Sequence, residues 1–241
     1  MNCLQEQHSR CNSGSGGFTL VELAIVLVIF ALLAGGLVVT LSAQQDIQRL
    51  AETRRQMADI REALLGYAVS NGRLPPPADP TKATSTAGAG LIDEGRVTGV
   101  LPWATLGLPE TDPWGRRYTY RVRTEFADLP LGATIPTCTP TPLPALATFA
   151  LCSAGNITVS DGLVDIATNL PAIVVSHGKN GLGAYLQDGT PISGASGEEL
   201  ENANNDTKFI AHAQTTSFDD EVVWIPLPIL MNRMIAAGRL P

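Results

Sequence analysis

The sequence has few aromatic residues and no cluster of lysine or arginine. Aromatic residues make up 5% of the chain, and 16 Lys and Arg stand against 23 Asp and Glu, a formal charge of -7. Nucleic-acid backbones and anionic lipid surfaces are bound mainly through clustered positive charge, so neither is expected as the main partner. The hydrophobic content of 44% argues against a disordered chain, and 17 Pro and 23 Gly indicate a modest core wrapped in turns and loops.

One long apolar run lies near the N terminus, from Phe18 to Leu41. Its length of about 24 residues is enough for a helix to cross a hydrocarbon core of about 30 Å. A cleavable secretory signal would need a shorter apolar core, a basic region before it and a small-x-small cleavage site after it, and the sequence lacks all three. A plain signal anchor leaves Glu22 unexplained, because a carboxylate in an apolar segment is costly without a partner.

The residues around that carboxylate form a motif. Their order, Gly17-Phe18-Thr19-Leu20-Val21-Glu22, closely resembles the processing motif of type IV prepilins and type II secretion pseudopilins. The resemblance implies that a membrane aspartyl peptidase cuts after Gly17 and that the new amino group of Phe18 is methylated. It also implies that Glu22 is the assembly acid, which pairs with the amino terminus of a neighbouring subunit through a charge-assisted hydrogen bond.

The resemblance divides the chain into four parts. Residues 1–17 are the leader peptide, and residues 18–41 are the transmembrane and assembly helix. Residues 42–72 are expected to continue that helix as an amphipathic segment that ends near Asn71-Gly72, before three prolines. Residues 73–241 form a loop-rich periplasmic head. The apolar positions that recur at three-to-four spacing in the amphipathic segment are Ile47, Leu50, Met57, Ile60, Leu64 and Ala68.

The predicted fold class is α+β and pilin-like, with the long helix packed on a small antiparallel sheet. The stretch from Arg73 to Pro113 lacks periodicity and is expected to be mostly loop. Two head segments, "DPWG" from Asp112 and "SHGKNGLGA" from Ser176, resemble turns of pseudopilin heads. The sequence predicts strands at residues 117–123, 156–159, 172–176 and 221–225. A terminal helix is predicted after the last of these strands.

The four cysteines divide at the implied cleavage site. Cys3 and Cys11 precede it, whereas Cys138 and Cys152 lie in the exported part, where thiols are oxidised. We therefore expect a Cys138–Cys152 disulfide, which would close a proline-rich loop of about 15 residues and contribute about 3 kcal/mol in the chain-entropy model. A metal site is the alternative, but no histidine stands at ligand spacing from either cysteine.

The stretch from Gly197 to Trp224 concentrates carboxylates and amides, the hard oxygen ligands that Ca²⁺ prefers. Because major pseudopilins hold one calcium ion in a C-terminal loop, the resemblance implies a calcium site here, with Asp206, Asp219 and Asp220 as ligands. The spacing of these residues matches neither that loop nor an EF-hand, so an acidic solvated turn is the alternative. No other cofactor is expected.

The expected function is structural and not enzymatic: a pilin or pseudopilin of a type II secretion or type IV pilus-like filament. The chain would be a single-pass protein of the bacterial inner membrane with a periplasmic head, and later part of a filament in the periplasm or at the cell surface. The implied partners are prepilin peptidase, the inner-membrane assembly platform, other pilin subunits and, before assembly, the lipid bilayer. No nucleic acid is expected.

Two other functions are open. In the first, the chain is a low-copy tip subunit whose loops, such as Thr81 to Gly99, recognise a substrate or a surface. In the second, more remote one, the chain is a membrane-anchored periplasmic hydrolase that uses Ser176 and His177. Adjacent residues of a strand point to opposite faces, which argues against that pair.

Overall fold

The structure is a computed structural model that describes residues 17–128, 137–139 and 144–240, without the side chains of residues 34–41. Most of the predicted leader, with Cys3 and Cys11, lies outside the described residues. The chain divides into two compact units, Met1–Ile47 and Gln48–Pro241. We describe each unit by itself.

Five helices and seven strands are described. The helices are α1 (Leu20–Asn71), α2 (Trp103–Leu106), α3 (Thr124–Ala127), α4 (Gly197–Glu201) and α5 (Leu227–Ala236). The strands are β1 (Thr98–Val100), β2 (Thr119–Val122), β3 (Ile157–Ser160), β4 (Asp165–Leu170), β5 (Ala172–Ser176), β6 (Lys208–Ile210) and β7 (Glu221–Ile225).

The first unit contains the start of α1. The large apolar side chains between Phe18 and Leu33 are all exposed, from 51% for Ile29 to 87% for Leu20. Among the described residues, no helix combines the length and the apolar character needed to cross a membrane.

The second unit begins within α1 and contains the whole head. Met57, Ile60, Leu64 and Ala68, the later part of the predicted apolar stripe, are buried in its core. The helix ends at Asn71, as predicted, and Gly72 follows it with a φ of 73°, the left-handed conformation in which glycine is favoured.

The main sheet has four antiparallel strands in the order β1-β2-β5-β7. In its register, Tyr120 of β2 is opposite Val174 of β5, which is in turn opposite Val223 of β7. One hydrophobic core joins the inward residues of this sheet, such as Tyr120 and Val174, to the buried stripe of α1 and to Leu230 and Met234 of α5. This arrangement confirms an α+β fold with an N-terminal helix and a small antiparallel sheet.

A second, three-stranded sheet covers the other face of the main sheet. Its order is β4-β3-β6, and β3 pairs antiparallel with β4 but parallel with β6. Ile157, Val159 and Phe209 of this sheet share a separate core with Ile173 and Val175 of β5. Because β5 is covered on both faces, all five of its residues are buried, which explains its uninterrupted apolar sequence. The sequence did not predict β4, β6 or the second layer.

The connection between α1 and β2 is better ordered than the sequence suggests. Leu74 and Ala78 are fully buried, and Ala78 exchanges backbone hydrogen bonds with Val100. Thr84 N donates to the Gln187 carbonyl, which ties the segment from Thr81 to Gly99 to the rest of the head. The expected loop therefore packs as part of the domain.

Candidate functional site

The predicted cleavage position precedes the first helix. Gly17, Phe18 and Thr19 have neither helical nor strand structure, and α1 begins at Leu20. Gly17 is exposed and the Phe18 residue is 84% exposed. The peptide bond between Gly17 and Phe18 thus lies outside the regular secondary structure, between two exposed residues.

Thr19 and Glu22 form a capping box at the start of α1. The Thr19 backbone N–H and hydroxyl both donate to Glu22 Oε2, each at 2.9 Å, and Glu22 N donates to Thr19 Oγ1 at 3.2 Å. This reciprocal arrangement satisfies backbone donors that the first turn of a helix leaves open. The spacing Thr-x-x-Glu is visible in the sequence, although the pilin resemblance implied only an assembly role for Glu22.

The capping box leaves half of the Glu22 carboxylate available. Within the described residues, Oε1 accepts no hydrogen bond, whereas Oε2 accepts two. The Thr19 contacts also restrict the rotation of the side chain. The geometry therefore presents one carboxylate oxygen in a fixed place at the exposed beginning of the helix, where it could accept a charge-assisted hydrogen bond from a cation.

The comparison with known families agrees with this segment. Residues 12–38 match the prokaryotic N-terminal methylation motif, which supports the resemblance to type IV pilins and pseudopilins. This motif is carried by substrates of prepilin peptidase, and its family is structural and not catalytic. The chain has no significant match among curated proteins or among solved structures.

The predicted disulfide is present in the head. Cys138 and Cys152 are joined, with their Cα atoms 5.9 Å apart. The linked loop also borders α3, because Thr137 Oγ1 donates to Glu125 Oε1 at 2.6 Å. The crosslink thus confirms the pairing predicted from compartment and spacing.

The head brings three carboxylates together. One oxygen of each of Glu199, Asp219 and Asp220 lies within 4.8 Å of the other two, a spacing at which one metal ion could contact all three. Glu199 comes from α4, whereas Asp219 and Asp220 directly precede β7. Two predicted calcium ligands, Asp219 and Asp220, therefore lie close together. The third member of the cluster, Glu199, belongs to the acidic stretch but was not among the predicted ligands.

Each carboxylate of the cluster has one oxygen fixed by an amide. Asn180 Nδ2 donates to Glu199 Oε1 at 2.6 Å, and Asn180 N donates to Asp219 Oδ2 at 2.9 Å. Asn202 Nδ2 donates to Asp220 Oδ2 at 2.8 Å. The other aspartate oxygens, Asp219 Oδ1 and Asp220 Oδ1, are buried without a hydrogen bond among the described residues. Unsatisfied buried carboxylate oxygens are costly, and a cation would satisfy them.

The electrostatics of the cluster favour a cation in the same way. Burial raises the pKa of Glu199 and of Asp219, and the neighbouring Asp220 carboxylate raises both further. Like charges held together in a desolvated place resist ionisation, and a divalent cation would reverse that effect. The oxygen-only donor set suits a hard ion such as Ca²⁺.

A glycine allows the cluster to form. Gly178 has a φ of 54°, and a Cβ at this position would collide with the Asp219 carbonyl oxygen. The turn after β5 can therefore approach Asp219 closely enough for Asn180 N to reach its carboxylate. The predicted pseudopilin-like turn at Ser176 is thus one wall of the acidic cluster.

The third predicted calcium ligand lies outside this cluster. Asp206 Oδ1 accepts a hydrogen bond from Lys208 N at 2.8 Å, and Asp206 Oδ2 accepts one from Asn204 Nδ2 at 2.9 Å. Both contacts are local and shape the turn before β6. Asp206 serves that turn, and Glu199 takes the third place among the clustered acids.

Ser176 and His177 do not form a nucleophile pair. Ser176 Oγ donates to Asp112 Oδ2 at 2.7 Å, whereas His177 Nε2 lies 2.9 Å from Thr119 Oγ1 and His177 Nδ1 lies 3.5 Å from Asp220 Oδ1. Ser176 and His177 therefore have different partners, and no hydrogen bond joins their side chains within the described residues. The Ser176–Asp112 bond joins the two turns that resemble pseudopilin heads.

Proposed function

We propose that this chain is a structural subunit of a type IV pilus-like or type II secretion filament, processed by prepilin peptidase between Gly17 and Phe18. The match of residues 12–38 to the N-terminal methylation motif carries this proposal. The exposed, non-helical segment ahead of α1 and the free oxygen of Glu22 support it.

The proposed mechanism begins with the precursor held in the inner membrane by its apolar N-terminal helix. Cleavage exposes the amino group of Phe18, which becomes a cation beside the start of α1. In the filament, Glu22 Oε1 accepts a hydrogen bond from the amino terminus of a neighbouring subunit, while Oε2 stays in the capping box with Thr19. The exposed apolar side chains between Phe18 and Leu33 exchange lipid for neighbouring helices.

The assembly role is tested with Glu22 variants co-produced with the assembly machinery. Glu22→Ala is expected to be cleaved normally but to be absent from sheared filaments, because the charged acceptor is lost. Glu22→Gln keeps the size and an acceptor oxygen but not the charge, and it is expected to assemble weakly. Normal filament incorporation of both variants would contradict the assigned role of Glu22 while leaving cleavage intact.

Copy number distinguishes a main filament subunit from a low-copy tip subunit. A main subunit would be the most abundant protein in purified filaments, whereas a tip subunit would be present at a few copies per filament. Quantitative mass spectrometry of sheared filaments gives this ratio directly.

We also infer that the head binds one Ca²⁺ ion through Glu199, Asp219 and Asp220. The two buried aspartate oxygens without hydrogen bonds carry this proposal. The ion would tie α4 to the start of β7 and so fix the segment between β5 and β7. Its role is structural, since it would neutralise charge that the fold has already gathered.

The test is thermal unfolding of the full chain in detergent micelles, after removal of divalent ions and again with Ca²⁺. At a free concentration of 100 times the Kd, binding to the native state adds about 2.7 kcal/mol. Asp220→Asn should abolish the calcium response, whereas the matched variant Asp206→Asn should retain it. An equal response in both variants, or none in the parent chain, would contradict this site.

A further inference from the structure

Two buried arginine side chains of the head, Arg73 and Arg117, are neutralised by neighbouring carboxylates. Arg73 forms a bidentate contact with Glu94 at 2.7 and 2.8 Å and also donates to the Ala127 carbonyl. Arg117 pairs with Glu110 and donates to three backbone carbonyls. Each guanidinium therefore has a carboxylate partner and at least one backbone carbonyl acceptor.

Arg121 differs from both of them. It lies in β2 and lines a cavity of about 280 Å³ together with Arg123, Glu125 and Asn156. Within the described residues its hydrogen bonds all use one nitrogen, Nη1, which donates to Thr98 Oγ1 and to the Asn205 carbonyl. Within the described residues it has no carboxylate at ion-pair distance, and burial lowers its pKa.

Asp206 does not compensate for this charge within the described residues. Its charge raises the pKa of Arg121 against the larger effect of burial, but its two oxygens are engaged by Asn204 and by the Lys208 backbone. The undescribed stretches of the head between α3 and β3, residues 129–136 and 140–143, contain no Asp or Glu. Among the described residues that line the cavity, Glu125 is the one acid.

Arg123 adds a second guanidinium to the same cavity. Two positions apart on extended backbone, Arg121 and Arg123 project to the same face. Arg123 Nε is buried without a hydrogen bond, and the nearest acid, Glu125 Oε2, lies 3.5 Å away and is also without one. Arg123 thus has one loosely paired carboxylate, Glu125, and Arg121 has none, which leaves the cavity with a net positive charge.

We propose that this cavity binds a carboxylate group through Arg121 and Arg123. The flat guanidinium fork matches two carboxylate oxygens, and a partly desolvated site strengthens the contact. The group belongs either to a free small polycarboxylate or to an exposed acidic side chain of another protein. The site is separate from the acidic cluster and does not depend on the filament proposal.

The test follows the arginine Nε–H signals of the full chain in detergent micelles by NMR. Citrate is the free probe, an acetylated tetraglutamate peptide is the protein-like probe, and sodium chloride at equal ionic strength is the blank. Saturable shifts of the Arg121 and Arg123 signals are expected with at least one probe. Binding of citrate alone indicates a small-molecule ligand, and stronger binding of the peptide indicates an acidic protein segment.

Three variants test whether binding of the probe depends on the charges that line the cavity. Arg121→Gln should weaken binding, read from the Arg123 signal, by about tenfold or more, because a charge-assisted contact is lost. Glu125→Gln should strengthen it, since the competing carboxylate is removed. Arg55→Gln, which changes the net charge equally on the exposed face of α1, should have no effect. Shifts that fail to saturate, or that weaken equally in the Arg121 and Arg55 variants, would overturn the proposal.

Discussion

The two units of the chain differ in the exposure of their apolar side chains. Between Phe18 and Leu33 the first unit leaves every large apolar side chain exposed, whereas the head buries the continuation of the same helix from Met57 to Ala68. In the first unit, the capping contacts between Thr19 and Glu22 join residues three apart in the chain. The head relies on contacts between residues far apart in the chain, as between Ser176 and Asp112.

The two units therefore differ in whether they have a hydrophobic core of their own. The head has three hydrophobic clusters of its own and a disulfide, so its stability is expected to be a property of the single chain. The described large apolar side chains of the first unit are exposed, so they add no buried core to the single chain. Variants placed in one unit or the other can test this division.

The largest expected effect is a core truncation in the head half of α1. Leu64→Ala should lower the free energy of unfolding by about 2 to 5 kcal/mol, because Leu64 is fully buried. Ile29→Ala, in the exposed half of the same helix, should change it by less than about 0.5 kcal/mol. Urea unfolding in detergent, followed by tryptophan fluorescence, reports on the head, where all three tryptophans lie. Similar losses in both variants would contradict the division.

The next effect concerns the disulfide. Replacing Cys138 and Cys152 with Ser should cost about 3 kcal/mol, because the unfolded chain regains the freedom of the closed loop. The matched double variant, Cys3→Ser with Cys11→Ser, should leave head stability unchanged. The same urea unfolding experiment measures both, and an unchanged midpoint in the first variant would show that the loop is held by other contacts.

A smaller effect is expected at the start of α1. Thr19→Ala removes the capping box and should destabilise the first turn by about 1 kcal/mol, whereas Thr19→Ser should keep it. Hydrogen exchange of the amides of residues 20–23 reads this local change. Faster exchange in both variants, or in neither, would show that the Thr19 hydroxyl does not cap the helix.

The smallest effect is a pH dependence in the head. The Arg73 guanidinium lowers the pKa of Glu94 below its ordinary value of 4.5, so the ion pair stabilises the fold above that pH and is lost as the pH falls through the lowered pKa. Because Glu94 is half exposed, the contribution should stay below about 1 kcal/mol. Glu94→Gln should flatten this part of the plot of unfolding free energy against pH. An unchanged plot would show that the Glu94–Arg73 pair does not cause the pH dependence.

Local signals explain why parts of the fold were predictable. The end of α1 at Asn71-Gly72 and the strands at 172–176 and 221–225 follow from turn residues and apolar runs of a few residues. The second sheet was not predictable in this way. β4 has mostly exposed residues and β6 has only three residues, so neither carries a clear pattern, and both form because β3 pairs with them.

The same reasoning applies to the sites. The order Gly17 to Glu22 is contiguous, so the sequence alone indicated it and the family comparison agrees. The acidic cluster joins Glu199 to Asp219 and Asp220 across β6, and only the folded position of α4 selects Glu199 over Asp206. The unequal pairing of Arg121 and Arg117 likewise depends on tertiary contacts that no local pattern encodes.

The most direct test of the central claim is the intact mass and N-terminal sequence of the chain produced together with prepilin peptidase. We predict a product that begins at an N-methylated Phe18. Gly17→Ala is expected to block this cleavage. A chain that still carries residues 1–17 in the presence of active peptidase would contradict the proposal that this protein is a processed filament subunit.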